Sequence, residues 1–336
     1  MSKMIIPKGY ETKLSLVETQ IAIKTIKDFF ERELSKQLNI IRVTAPLFVL
    51  PETGLNDNLS GAERPVDFKI PNLNNHRAEV VQSLAKWKRN ALKEYGFKSH
   101  EGIYTDMNAI RRDEVLGNIH SLYVDQWDWE IVINKEDRNT DYLKEVVRSI
   151  YRALKVTEDY IVYEYDFVDR LLPDEITFIT SQQLEDDYPN LTTDEREYMA
   201  AKKYGAIFIS QIGKKLKSGK RHDYRAPDYD DWELNGDIIF YYPVLDIALE
   251  MSSMGIRVDA KSMKSQLLES GFIARENFPY QRAVLEDQMP LTIGGGIGQS
   301  RICMYFLRKA HIGEIQASIW SKEMRELAKR NNITLL

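Results

Sequence analysis

Gly294-Gly295-Gly296-Ile297-Gly298-Gln299-Ser300-Arg301 is the stretch on which the reading of this chain turns. Met289 to Gly298 reads as a strand that feeds the glycine-rich run, and Gln299 to Lys309 reads as the helix that follows. Glycines at 294, 296 and 298 carry no Cβ, so backbone there can pass very close to a flat ligand. Arg301, one helical turn further on, can reach a phosphate, helped by the helix N-terminus. The same residues also describe a tight strand-to-helix turn with an exposed arginine, and the run alone does not separate the two.

Apolar periodicity supplies the frame around this run. Leu14 to Leu38 reads as an amphipathic helix in which Ile26, Phe30, Leu34 and Leu38 share one face, with Asn39 as its stop. Ile40 to Pro46 reads as a short strand ended by proline. Pro51 to Pro71 reads as a polar loop, Glu79 to Val81 as a strand, and Leu84 to Lys93 as a helix. Gly102 to Ile110 and Ser121 to Ile133 read as two strands around a charged turn, Arg111-Arg112-Asp113-Glu114. Thr140 to Tyr160 is helical in pattern, and Ile176 to Thr180, Ala206 to Ile212 and Ile238 to Tyr242 are strand-like. Antiparallel strand pairs with flanking helices predict an α+β fold rather than a βαβ alternation. No dinucleotide fingerprint or P-loop lysine motif is present.

In Leu122-Tyr123-Val124-Asp125-Gln126-Trp127-Asp128-Trp129 the side chains alternate between faces, which puts Gln126 and Asp128 beside Val124. Two polar groups on an inner face need partners, and a substrate ammonium is a suitable one. The alternative is that Trp127 and Trp129 mark the core and the polar face meets solvent.

The bulk properties narrow the classes. The chain has 336 residues, 43% hydrophobic and 29% charged, with a formal charge of −5. That suits one large domain or two small ones and excludes the basic footprint of a protein that grips long nucleic acid. The single cysteine, Cys303, lies in an apolar run and reads as a buried structural thiol, so a reducing compartment and a cytoplasmic location are expected. No signal peptide and no membrane span are expected, and five histidines with one cysteine give no zinc spacing.

Taken together, these pieces resemble the catalytic core of class II aminoacyl-tRNA synthetases, which implies an antiparallel sheet flanked by helices. The helix and strand ending at Pro46 look like motif 1, which implies a homodimer. Arg111 with Glu114 looks like motif 2, and Gly294 through Arg301 looks like motif 3. Gln82-Ser83 followed by Lys88, and Glu250 followed by Arg257, are similar to segments of the aspartyl and asparaginyl enzymes. Motif 1 begins within the first fifty residues, which leaves no room for an anticodon-binding domain. Over essentially the whole chain the sequence resembles the ammonia-dependent asparagine synthetases (aspartate–ammonia ligases). The blocks that carry this include Asp57 to Glu63, Ser83 to Arg89, Tyr123 to Trp129, Arg225 to Trp232 and Ser252 to Arg257.

That resemblance implies a single catalytic domain over residues 1–336 that uses ATP, with Mg²⁺, to make asparagine from aspartate and ammonia. The route is a β-aspartyl-adenylate, with release of AMP and pyrophosphate. Arg111 would hold carboxylate and α-phosphate together, supported by Glu114, Gly296, Gly298 and Arg301 around the nucleotide. Glu250 and Asp237 would be Mg²⁺ ligands. Lys88 and Arg257 would hold the α-carboxylate, with Ser83 and Ser253 nearby; Asp57, Gln126 and Asp128 would bind the α-ammonium. Asp230, with Asp57 second, is the candidate base for ammonium. No nucleic-acid or membrane partner is implied. Two other readings stay open: a shortened aspartyl- or asparaginyl-tRNA synthetase, against which the acidic balance counts, and a regulatory paralogue that binds amino acid only, against which Arg111 and Arg301 count.

Overall fold

The computed structural model describes residues 4–56, 59 and 63–336. The element that opens the fold is α1 (Leu16–Leu38), begun by a capping box between Ser15 and Glu18 and ended by Asn39 in the left-handed conformation. Ile26, Phe30 and Leu34 are fully buried, so the four-residue spacing read from sequence is the inward face. The strands are β1 (Ile40–Arg42), β2 (Phe48–Val49), β3 (Asp67–Ile70), β4 (His76–Val80), β5 (Gly102–Ile110) and β6 (Tyr123–Val132). They continue with β7 (Thr177–Thr180), β8 (Ala206–Ser210), β9 (Asp230–Tyr242), β10 (Ile247–Arg257) and β11 (Thr292–Gly298). The remaining helices are α2 (Ala85–Tyr95), α3 (Thr140–Glu164), α4 (Ser181–Asp187), α5 (Thr193–Tyr204), α6 (Ala260–Ser270), α7 (Pro279–Leu285), α8 (Gln299–Phe306) and α9 (Lys322–Arg330).

Eight strands form one sheet in the order β1-β5-β6-β11-β10-β9-β8-β7. Only the outer pairs β1–β5 and β7–β8 are parallel; the five inner pairings are antiparallel. A small second sheet runs β2-β4-β3. One face of the large sheet is covered by α1, α3 and α8 around Trp127, Trp129, Ile293, Ile297 and Tyr305. Phe30 meets Trp127 with ring centroids 4.8 Å apart. The other face carries α2, α6 and α7 at its margins and the polar residues of the inner strands at its centre.

Three expectations change. Asp67–Ile70, expected as loop, is a strand, exposed enough to show no apolar alternation. The strand expected at Ile238–Tyr242 begins at Asp230, and β10 was not foreseen, because Ser252, Ser253 and Gly255 break its apolar pattern. The strand expected to run to Pro46 stops at Arg42. Cys303 is fully buried, and burial pushes its thiol up to about 12. Among the described residues no helix is long and apolar enough to cross a membrane.

Candidate active site

Strand register places the glycine run against the acidic strand. Gly294 pairs with Glu130, Gly296 with Asp128 and Gly298 with Gln126. Each of these positions points to the same sheet face, so every glycine lies beside a long polar side chain. A Cβ at Gly294 would come within 1.9 Å of Glu130 Oε2, and one at Gly296 within 2.4 Å of Gln126 Oε1 and 2.9 Å of Asp128 Oδ1. Thus the glycines make room for Gln126, Asp128 and Glu130. The earlier alternative for β6 resolves in favour of both faces: Trp127 and Trp129 are in the core, and Asp128, 3% exposed, lies under a cleft.

The cleft, about 480 Å³, gathers most of the residues singled out in the sequence: Ser83, Lys88, Arg111, Glu114, Gln126 and Asp128. Asp230, Glu250, Ser253, Arg257, Gly296, Gly298 and Arg301 line it as well. Asp57 lies outside the described residues. Asp237 is not among the residues that line the cleft; it lies beside Ser253, its register partner on β10.

The floor is a buried ionic chain. Lys88 Nζ donates to Asp128 Oδ1 at 2.9 Å, Trp129 O at 3.0 Å and Gly295 O at 2.9 Å, which uses all three ammonium protons. A substrate carboxylate could reach Lys88 only by displacing or sharing one of these acceptors. Arg257 makes a fork to Glu130, Nε–Oε1 2.9 Å and Nη2–Oε2 2.7 Å, and its Nη1 donates to Asp230. Five N–H groups against three bonds leave Arg257 donors for a ligand. Asp128 lines the cleft, and its Oδ2 is buried with no hydrogen-bond partner. Burial raises the Asp230 carboxyl above its usual range despite Arg257, whereas the fork from Arg257 overcomes burial and lowers Glu130. Burial lowers Lys88, partly offset by Asp128 and Glu130.

The opposite end of the cleft is cationic. Arg111 follows β5, its Nε buried and unpartnered. Arg301, in the first turn of α8, donates to Glu250 O at 2.9 Å and lies 3.4 Å from Glu250 Oε2. Burial raises Glu250, but Arg301, Arg225 and Arg111 outweigh it and keep the group ionised. His120 stands beside these arginines, and burial lowers it to about 4, so it is neutral there. Such an end suits a polyphosphate.

Glu250 and Asp237 are the acids expected from the sequence to hold a cation. Asp237 Oδ1 is buried and unpartnered, and the Glu250 carboxylate lies within electrostatic reach of it. No convergence of three His, Cys, Asp or Glu side chains exists among the described residues. Two carboxylates, with phosphate and water for the remainder, fit the oxygen-rich way in which Mg²⁺ is held. Glu130, His120 and Arg225 join the site without having been expected there from the sequence. Glu130 follows the alternation of Gln126 and Asp128 by two residues and was readable on that ground; His120 and Arg225 come from loops and carried no such signal.

An antiparallel sheet with a glycine strand opposite an acidic strand, an arginine at the end of β5 and another opening the following helix, defines a class II synthetase-like catalytic fold. Solved asparaginyl-tRNA synthetases share it. That of Entamoeba histolytica, in complex with asparaginyl-adenylate, superposes with a TM-score of 0.62 at 13% identity over 90% of this chain. That of Pyrococcus horikoshii, also with asparaginyl-adenylate, gives 0.62 at 16% identity over 89% of this chain. The chain spans about two thirds of each, 66% and 68%.

Within that class, the chain belongs to the aspartate–ammonia ligase family, whose family model matches residues 17–332. It is 59% identical to the aspartate–ammonia ligase of Clostridium perfringens over 336 residues, 100% of both chains. It is 61% identical to that of Fusobacterium nucleatum over 328 residues, 98% of this chain and 100% of that one.

Proposed function

We propose that this chain is a ligase that makes L-asparagine from L-aspartate and ammonia, activating the β-carboxylate with ATP as a β-aspartyl-adenylate and releasing AMP and pyrophosphate. The observation that carries the assignment of the substrate pose is Asp128: its buried, unpartnered oxygen, next to Gln126, is an acceptor for the α-ammonium. The free N–H groups of Arg257 then take the α-carboxylate, with Lys88 beneath holding Asp128 in place. This directs the β-carboxylate toward Arg111.

Attack of a carboxylate oxygen on the α-phosphorus forms the mixed anhydride and breaks the bond to pyrophosphate. Arg111 is always charged and forked, so it holds both reactants and the growing phosphate charge. Arg301 and the neutral His120 line the phosphate path. Glu250 and Asp237 would hold Mg²⁺, which would supply positive charge against the polyphosphate. Ammonia then attacks the anhydride carbonyl and AMP leaves. The base that takes a proton from ammonium is Asp230, whose burial brings its carboxyl toward the range useful for proton transfer; Asp57 is the second candidate.

Residues 1–336 act in this reading as one catalytic domain in the cytoplasm. Exposed apolar residues Val17 and Ile21 on α1, and Phe48 and Phe68 on the small sheet, support a homodimer built on motif 1. Incubation with ATP, Mg²⁺, aspartate and ammonium tests the reaction: AMP, pyrophosphate and asparagine are expected. Release of ADP and phosphate would overturn the adenylate.

A further inference from the structure

Arg225 has no step in the reaction above, yet it is the group that Asp237 touches. Its Nη2 donates to Asp237 Oδ2, its Nη1 donates to Ser253 Oγ at 3.0 Å, and its Nε lies 3.1 Å from Asp223 Oδ2. Asp237 is 8% exposed. A carboxylate so buried stays ionised only with a countercharge close by, and among the described residues Arg225 is its ion-pair partner. Glu250 adds negative charge near both groups. A divalent cation held by Asp237 Oδ1 and Glu250 would share the Asp237 carboxylate with the guanidinium on Oδ2, and two cations that close repel strongly.

The geometry points to Arg225 as a tethered competitor of the metal. The guanidinium and the divalent cation exclude one another at Asp237, and the guanidinium leaves only when a nucleotide phosphate offers it a second anion that matches its fork. Arg225 lines the same cleft as Arg111 and Arg301, so a phosphate there is within its surroundings. The consequence is coupling: metal alone binds weakly, and metal and nucleotide bind together. The inference rests on the metal position proposed for Asp237 and Glu250.

Mn²⁺ is the probe, with free Mn²⁺ followed by electron paramagnetic resonance in titrations of the full chain with and without a non-hydrolysable ATP analogue. Arg225→Met should tighten Mn²⁺ binding in the absence of nucleotide by roughly ten- to a hundredfold, the range of one charge-assisted hydrogen bond. The difference between the two conditions should shrink accordingly. Arg225→Gln, which keeps a donor but no charge, carries the same expectation if the methionine variant does not fold. Unchanged nucleotide-free Mn²⁺ binding in the folded variant overturns the inference. Asp237→Asn separates the two levels: if it weakens Mn²⁺ binding with the analogue present but Arg225→Met gains nothing, only the competition fails. If it leaves that binding unchanged, the metal position itself is wrong.

Discussion

Asp128→Asn removes a charge from the cleft floor while keeping the shape of the side chain. Asp128 Oδ1 accepts from Lys88 at 2.9 Å, and Oδ2 is buried without a partner. A substrate ammonium placed on Oδ2 would form a charged hydrogen bond, worth roughly 1.5–3 kcal/mol, or about ten- to a hundredfold in binding. The substitution also takes the nearest anion from Lys88, whose next carboxylate, Glu130, is 3.8 Å away. Steady-state formation of asparagine should therefore show the KM for aspartate raised by roughly ten- to a hundredfold, with the KM for ATP changed by no more than about twofold. The sharper measurement is a cycle with succinate, which has both carboxylates but no ammonium. Wild type should bind aspartate much better than succinate, and Asp128→Asn should lose most of that preference. The coupling between substitution and ligand cancels general damage to the site. If the variant discriminates aspartate from succinate as well as wild type does, Asp128 does not hold the ammonium and the pose is wrong.

Arg111→Lys keeps the charge and loses the fork, so turnover should fall on the order of 10²–10³; near wild-type kcat would remove Arg111 from the chemical step. Gly296→Ala puts a Cβ 2.4 Å from Gln126 Oε1 and 2.9 Å from Asp128 Oδ1, so a folded protein with a raised aspartate KM is expected, and an unchanged KM would show that these side chains do not set the pocket. Burial lowers both His120 and His311 from 6.5 to about 4, so each binds a proton more readily in the unfolded chain. Stability is therefore fully present above about pH 6.5 and is lost as pH falls toward 4, with a slope of at most about 1.4 kcal/mol per pH unit for each histidine. Melting temperatures of wild type and His311→Asn across that window check this: the variant should lose less on acidification, and parallel curves would sink the assignment to His311.

The class of fold was legible in the sequence, and so were most of the residues that line the cleft. The spacing of Ile26, Phe30, Leu34 and Leu38 set α1, the alternation from Tyr123 to Trp129 set β6, and the run from Gly294 to Arg301 marked the strand and helix that frame the cleft. These are signals of period and composition, which are local. The pairing of β6 with β11 decided what the glycines do: they give space to Gln126, Asp128 and Glu130, where the run alone suggested a close approach to ligand. Tertiary structure also decided that Lys88 spends its donors on Asp128 and two carbonyls, that Arg257 keeps some free, and that Asp237 faces Arg225. β10 escaped notice in the sequence because Ser252, Ser253 and Gly255 break its apolar pattern, yet it brings Ser253 and Arg257 between the glycines and β9. The physical reason is the same throughout. Periodicity tells which side of an element faces inward, whereas the partner of a buried charge is set by register between strands distant in sequence, and a chain read one residue after another does not contain that register.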